Sequence, residues 1–476
     1  MKLFSIFLAL VSLSSGNIQF FVFYSCLLYL SYNYYLKTSS IIPYIFLFLV
    51  PYPISFIGQT VWLEKAIYVF SIFSLMYMSF KKRNSFIIVK PWQRYVLFVI
   101  VVVTLLIYLP IPIETYLNWG IFTGPEENYI SNHRNSHMLG FALPMIIGPV
   151  LSIAVVKSFS YRTDFGNLYK ILKVFTWIIV VGSLIRYITQ IEFIPQGYIA
   201  SIRNDGFRLS GFMNPDSIGY GKTLLIPLAF IFSYLISKQK SGRDAYLLFF
   251  IIISLFITFS RIIVASTVIV MIVIVLYNFR IRIMLKGSLF LFIVISFLIF
   301  SGAVDKLVLR SVSSDSSSSL NLSGRDLIYT TGIPIVLASP YVGLRPGGYV
   351  SMLIEGVSYS YEGGKSIMVV QSAHSFYLVV ALEWGIPFLI FLVGVMIHCI
   401  YLLHKTIHLT NKYIHLKDYQ QIRTWSVALM GLIVGFLLLG ITDFIPYPVV
   451  FFLIGLSWSL NLMAKKLISS HLTPVE

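Results

Sequence analysis

Long, nearly uninterrupted apolar segments are the feature that most constrains how this chain folds. Most of them run for about 15 to 22 residues, the length that a helix needs to cross the hydrocarbon core of a bilayer. Charged residues make up only 11% of the sequence, whereas about 25% is typical of soluble domains. The segments also lack the polar/apolar alternation of barrel strands. Because only helices and closed barrels satisfy their backbone groups inside a bilayer, the sequence predicts an all-α fold, a polytopic bundle of transmembrane helices.

The apolar runs predict about 12 to 14 transmembrane helices, with both termini in the cytoplasm. They lie near residues 3–15, 17–36, 41–60, 63–80, 95–111, 138–157, 172–190, 218–237, 245–259, 262–278, 287–303, 376–401, 425–442 and 446–464. The first run fits either a short helix or a cleaved signal peptide, because a lysine precedes it and small residues follow it. The predicted topology after this run is the same in both cases.

The net charge of +17 raises the question of nucleic-acid binding, and the positions of the charges argue against it. Lysine and arginine cluster in short segments between apolar runs, for example at residues 81–83, 238–240, 280–282 and 465–466. Cytoplasmic loops of membrane proteins carry such an excess of basic residues. The charge therefore indicates membrane topology, and we expect membrane lipids as neighbours and no nucleic acid as a partner.

Polar residues concentrate in three segments that this topology places on the periplasmic side. Two are loops at residues 113–137 and 190–217, which belong with the helices of residues 1–302. The third is a large periplasmic loop at residues 303–375, which is long enough to contain short helices of its own. Residues 376–476 then form the last helices and a cytoplasmic tail.

Arginines on the predicted periplasmic side are unexpected, since basic residues favour the cytoplasmic side. They include Arg203, Arg208, Arg261, Arg325 and Arg345. The guanidinium group is always charged and offers a planar fork of donors that matches phosphate oxygens. The set therefore predicts a phosphate or pyrophosphate ligand, while for any single arginine a salt bridge to a neighbouring carboxylate is an equally good explanation.

His374 lies where the large loop re-enters the membrane. An imidazole at this position can act as a general base near neutral pH, or it can serve as a helix cap or packing residue. The glycine-containing segment at residues 340–348 lacks the spacing of a phosphate-binding loop, so a tight turn is the better interpretation.

Several short motifs together resemble the O-antigen ligase and O-antigen polymerase superfamily. These motifs occur in a characteristic order, at residues 208–215, 260–261, 324–325, 340–343, 374–378 and 383–386. The resemblance covers about residues 203–403. Members commonly have His-Asn where this chain has His374-Ser375, and Ser-Arg-Gly where it has Ser260-Arg261-Ile262.

The resemblance implies a bacterial inner-membrane glycosyltransferase of the GT-C type with its active site at the periplasmic face. In that picture Arg208, Arg261 and Arg325 neutralise the pyrophosphate of an undecaprenyl-linked donor, and His374 accepts the proton of the acceptor hydroxyl. Asp205, Asp326 or Glu383 could be the base instead. The residues implied in substrate binding are Arg203, Asp205, Asn214, Arg345, Gln371 and Glu383. No metal or other cofactor is implied, and the chain contains no Asp-x-Asp motif in support of one.

Three functions are compatible with these observations. A polymerase would transfer the growing glycan to another carrier-linked repeat unit, with a chain-length regulator protein as an additional partner. A ligase would transfer it to lipid A-core. A lipid or ion transporter is the alternative outside enzymes, although such a protein would place its ionisable residues near the middle of the bilayer. We expect a polymerase, because polymerases are the more divergent members of the superfamily.

Overall fold

The computed structural model describes residues 90–108, 145–146, 148–157, 159, 162–189, 209, 217–237, 242–278, 325–343, 375–443, 445 and 447–472. All regular secondary structure in these residues is α-helical, which confirms the predicted all-α class. The helices are α1 (Pro91–Tyr108), α2 (Gly148–Lys157), α3 (Arg162–Thr189), α4 (Ser217–Ile236), α5 (Gly242–Ile257), α6 (Arg261–Tyr277), α7 (Arg325–Ala338), α8 (Phe376–Trp384), α9 (Ile386–Asn411), α10 (Lys417–Thr442) and α11 (Tyr447–Leu472).

Within the described part of the chain, five helices are long and apolar enough to cross a membrane. These candidate spans lie in α3, α4, α9, α10 and α11, and shorter apolar helices include α1, α2 and α6. The helices predicted near residues 3–15, 17–36, 41–60, 63–80 and 287–303 lie outside the described residues. The short helix expected inside the large loop is present as α7.

The prediction of one helix over residues 376–401 was wrong. The structure has two helices there, α8 and α9, separated at Gly385. Gly385 has φ +84°, a left-handed conformation that glycine adopts without a steric penalty. Pro387 follows in the first turn of α9, where its missing N–H group costs no hydrogen bond. Since both helices are apolar, hydrophobicity alone did not reveal the boundary.

Helix α10 occupies the centre of the bundle and packs against α4, α6, α9 and α11. Its contact with α6 is close because two glycines one turn apart face that helix. A Cβ atom on Gly431 would lie 3.1 Å from the carbonyl oxygen of Val270, and one on Gly435 would lie 2.4 Å from Val270 Cγ2. Small residues at this spacing allow helix backbones to approach closely in membranes.

The bundle has two chemically different ends. At one end, which we call the basic end, lie Lys412 in the α9–α10 connection and Lys417 and Arg423 in the first turns of α10. The Arg423 guanidinium donates hydrogen bonds to Asn411 Oδ1, Asn278 Oδ1 and the carbonyl of Tyr277, and so joins α6, α9 and α10. The opposite end holds the last residues of α5 and α10 and the first residues of α4, α6 and α8; we call it the motif end.

Candidate functional site

Arg261 is the first residue of α6, and its side chain is exposed at the motif end. The turn that precedes it is tight: Phe259 has φ +48°, which is unusual for a residue other than glycine. A positive side chain at the start of a helix is opposed by the helix dipole, so this position does not favour stability of α6. Arginine and the helix start both attract anions, and their coincidence suits the predicted role in pyrophosphate binding.

Leu209, the residue after Arg208, is hydrogen-bonded to the helix end just before this turn. Leu209 is buried, and its backbone N–H donates to the carbonyl of Ile257, the last residue of α5, at 3.1 Å. Ile257 lies just ahead of the turn that presents Arg261. Leu209, which belongs to the motif at residues 208–215, therefore lies beside the α5–α6 turn.

A buried ion pair connects α4 to the end of α10. Lys222 Nζ lies 3.0 Å from Asp443 Oδ2, and the two side chains are only 11% and 9% exposed. The adjacent Gly221 packs against Ile263, close enough that a Cβ atom would lie 2.7 Å from Ile263 Cγ2. Because Ile263 is in the first turn of α6, this contact and the ion pair bring α4, α6 and α10 together at the motif end.

The segment that follows His374 is attached to the same place. The backbone N–H of Phe376 donates to the carbonyl of Asp443 at 3.1 Å, and Ser375 Oγ donates to the carbonyl of Gly440 at 3.2 Å. Ser375 is also the N-cap of α8, because its Oγ accepts from Leu378 N. Asparagine and serine are both strong N-caps, so an asparagine at this position would cap α8 as well.

Arg325 is the first residue of α7, and α7 also begins at the motif end. Tyr329, one turn further along, donates a hydrogen bond from its hydroxyl to the carbonyl of Ile441. Ile441 is next to the end of α10, where the carbonyls of Gly440 and Asp443 accept hydrogen bonds from Ser375 and Phe376. The start of the Arg325 helix therefore lies close to the segment that follows His374.

Two other motifs form one interlocked turn. The backbone N–H of Ile386 donates to the carbonyl of Pro340 at 2.7 Å. Gly343 has φ +68° and faces the α8–α9 break, where a Cβ atom would lie 2.6 Å from the carbonyl oxygen of Leu382. A Cβ atom on Gly385 would lie 2.5 Å from the carbonyl oxygen of Tyr341. This geometry confirms the tight-turn interpretation for residues 340–343, and residues 344–348 lie outside the described part.

The structure describes the side chains of some predicted site residues, only the backbone of others, and the rest not at all. Arg261 is exposed, whereas Glu383 is buried in α8 with 2% of its surface accessible. Arg325 and Asp326 are described as backbone positions in α7. The remaining predicted site residues lie outside the described residues: Arg203, Asp205, Arg208, Asn214, Arg345, Gln371 and His374.

Lys222 and Asp443 were not predicted as site residues, although the sequence contained a signal for them. Lys222 lies in an otherwise apolar helix, and Asp443 lies between two long apolar segments. Ionisable residues inside or beside membrane helices are costly, and they usually have a partner and a function. The signal identifies each residue as unusual, but it does not identify the two as a pair.

Comparison with known proteins supports the interpretation of these motifs. The sequence profile of the O-antigen ligase family matches residues 246–393, from α5 into α9. Within residues 246–393, this match confirms the predicted resemblance to the O-antigen polymerase and ligase superfamily. The matched residues include Arg261, Arg325, His374 and Glu383. No curated protein matches the chain.

Proposed function

We propose that the protein is a surface-polysaccharide polymerase of the bacterial inner membrane. It transfers a growing glycan from undecaprenyl pyrophosphate to a hydroxyl of another lipid-linked repeat unit at the periplasmic face. The observation that best supports this proposal is that several of the motif segments meet at the motif end. There, Leu209, Arg261, the start of α7 and Ser375 are joined through contacts with α4, α5, α6 and α10.

The proposed reaction follows from the residue types at this end. The acceptor oxygen forms a bond to the anomeric carbon of the donor glycan, while the bond from that carbon to the pyrophosphate oxygen breaks. His374 accepts the proton of the acceptor hydroxyl. Arg208, Arg261 and Arg325 stabilise the negative charge that develops on undecaprenyl pyrophosphate as it leaves, a contribution that can be the largest single one in catalysis.

A ligase is the second candidate, because the family that matches residues 246–393 is described as O-antigen ligase. The two reactions share the donor and the chemistry, and they differ only in the acceptor. A ligase would use lipid A-core in place of a second carrier-linked repeat unit.

Genetic complementation distinguishes the two functions. The chain is expressed in strains that make its own repeat unit and lack either the polymerase or the ligase, and the lipopolysaccharide ladder is compared on a gel. Long chains restored in the polymerase-deficient strain support the proposal. Attachment of polymer to lipid A-core in the ligase-deficient strain would establish the alternative, and no change in either strain would contradict both and favour a transporter.

Point variants test the site in the strain that responds. Arg261→Ala, Arg325→Ala and His374→Ala should each abolish most of the restored ladder. Arg243→Ala is the matched control, because Arg243 is an exposed arginine at the opposite end of α5. Equal activity of the control and the three site variants would contradict the assignment of the site.

A further inference from the structure

Helix α7 has the composition of a membrane segment, although it belongs to the predicted periplasmic loop. No charged residue occurs at residues 327–344, between Asp326 and Arg345. The helix has 14 residues and is therefore about 21 Å long at 1.5 Å per residue. This length is too short to cross a hydrocarbon core of about 30 Å, and apolar segments of this length are often re-entrant or interfacial.

The contacts of α7 show that it lies across one end of the bundle. Near its start, Tyr329 donates to the carbonyl of Ile441, close to the end of α10. Just beyond its last residue, Pro340 accepts a hydrogen bond from Ile386 N, at the first residue of α9. The end of α10 and the start of α9 are both at the motif end, because these helices are antiparallel neighbours joined at the basic end. Both ends of α7 thus contact the same end of the bundle.

The two faces of α7 are both apolar, and they have different surroundings. On one face, Val336 is buried and belongs to the same small apolar cluster as Leu378 of α8, and Gly332 packs against that leucine. On the other face, Ile333, Leu337 and Tyr341 are 50%, 64% and 79% exposed. Their spacing of four residues places the first two on one side of the helix, and Tyr341 continues the row into the following turn. We call these three residues the α7 stripe.

The exposed stripe is followed by a turn that is bonded to a candidate membrane span with exposed apolar residues of its own. In α9, which is a candidate membrane span, Ile390 and Ile397 are 65% and 55% exposed, and residues seven apart lie on one side of a helix. The bond between Ile386 and Pro340 joins the turn after α7 to the start of this span. A helix that is apolar on all sides is typical of a buried or membrane environment, and a tyrosine at one end suits the headgroup region.

We propose that α7 lies in the membrane at the level of the motif end, with the α7 stripe in contact with lipid acyl chains. The residues that begin the helix, Arg325 and Asp326, are then at the membrane surface. This arrangement holds the candidate site at the depth of lipid headgroups, where the headgroup of a membrane-anchored substrate would be found. The assignment of α7 to the membrane concerns the helix alone and does not depend on the glycan that the protein uses.

Spin labels report directly whether the stripe faces lipid. The full-length chain with Cys26→Ser and Cys399→Ser carries one label, at Leu337→Cys or Ile333→Cys. Each protein is reconstituted in vesicles of phosphatidylethanolamine and phosphatidylglycerol, and collision with oxygen, which concentrates in lipid, is compared with collision with nickel–EDDA, which stays in water. Ile397→Cys is the lipid control on α9, and Lys412→Cys is the water control in the α9–α10 connection.

Labels at positions 333 and 337 should collide more with oxygen than with nickel–EDDA, as at position 397, with the opposite preference at position 412. A preference at both stripe positions like that at position 412 would overturn the proposal, because the stripe would then face water. Low accessibility to both reagents would also overturn it, since the stripe would then be covered by protein, such as a second copy of the chain. Two positions are labelled so that a local effect of one substitution on accessibility does not decide the result.

Discussion

At the scale of single residues, Ser375 connects the predicted catalytic segment to the core of the bundle. It caps α8 and donates to the carbonyl of Gly440, and it follows His374 directly. We predict that Ser375→Asn retains activity and stability, because asparagine is an equally strong cap, whereas Ser375→Ala loses about 1 kcal/mol from the cap alone. Thermal unfolding in detergent and the lipopolysaccharide ladder measure the two effects. Equal stability of the alanine variant and the parent would contradict this role.

The Lys222–Asp443 pair is the second prediction at this scale. Lys222→Met should destabilise the fold by about 3 to 5 kcal/mol, because it leaves the Asp443 carboxylate as a buried charge without the lysine. The double variant Lys222→Met/Asp443→Leu should recover much of this loss, since it removes both charges. A double-mutant cycle of thermal stability measures the coupling. If the two single losses simply add in the double variant, the ion pair does not hold α4 to α10.

At the scale of helices, the contact between α6 and α10 depends on the absence of side chains on one face of α10. Gly435→Leu should destabilise the bundle by at least about 1 to 3 kcal/mol, because it forces new atoms into a packed contact with Val270. Gly394→Leu is the matched control, because a Cβ atom on Gly394 of α9 would meet nothing within 4 Å. The folded fraction after detergent extraction, measured by size-exclusion chromatography, should fall for the first variant alone. Similar losses for both would contradict close packing at Gly435.

At the scale of the whole molecule, the sequence was sufficient to predict the all-α fold class and the start of α6 at Arg261. Long apolar runs specify membrane helices through backbone hydrogen bonding, and the Ser260-Arg261 pair after such a run marked the start of α6. The break at Gly385 was missed because α8 and α9 are both apolar, so that hydrophobicity does not change there. The Lys222–Asp443 contact was not predictable, because nothing local in either segment specifies a partner far away in the chain.

The central claim is that the segments carrying the predicted catalytic residues meet at the motif end. The most direct test is a distance between spin labels at Arg261→Cys and His374→Cys, in the chain with Cys26→Ser and Cys399→Ser. A control pair uses Arg243→Cys with His374→Cys, because Arg243 lies at the other end of α5, about 24 Å along a 16-residue helix. Positions 261 and 374 should lie within about 15 Å of each other, as a shared pyrophosphate site requires, with the control distance clearly longer. A 261–374 distance equal to or longer than the control would contradict the account.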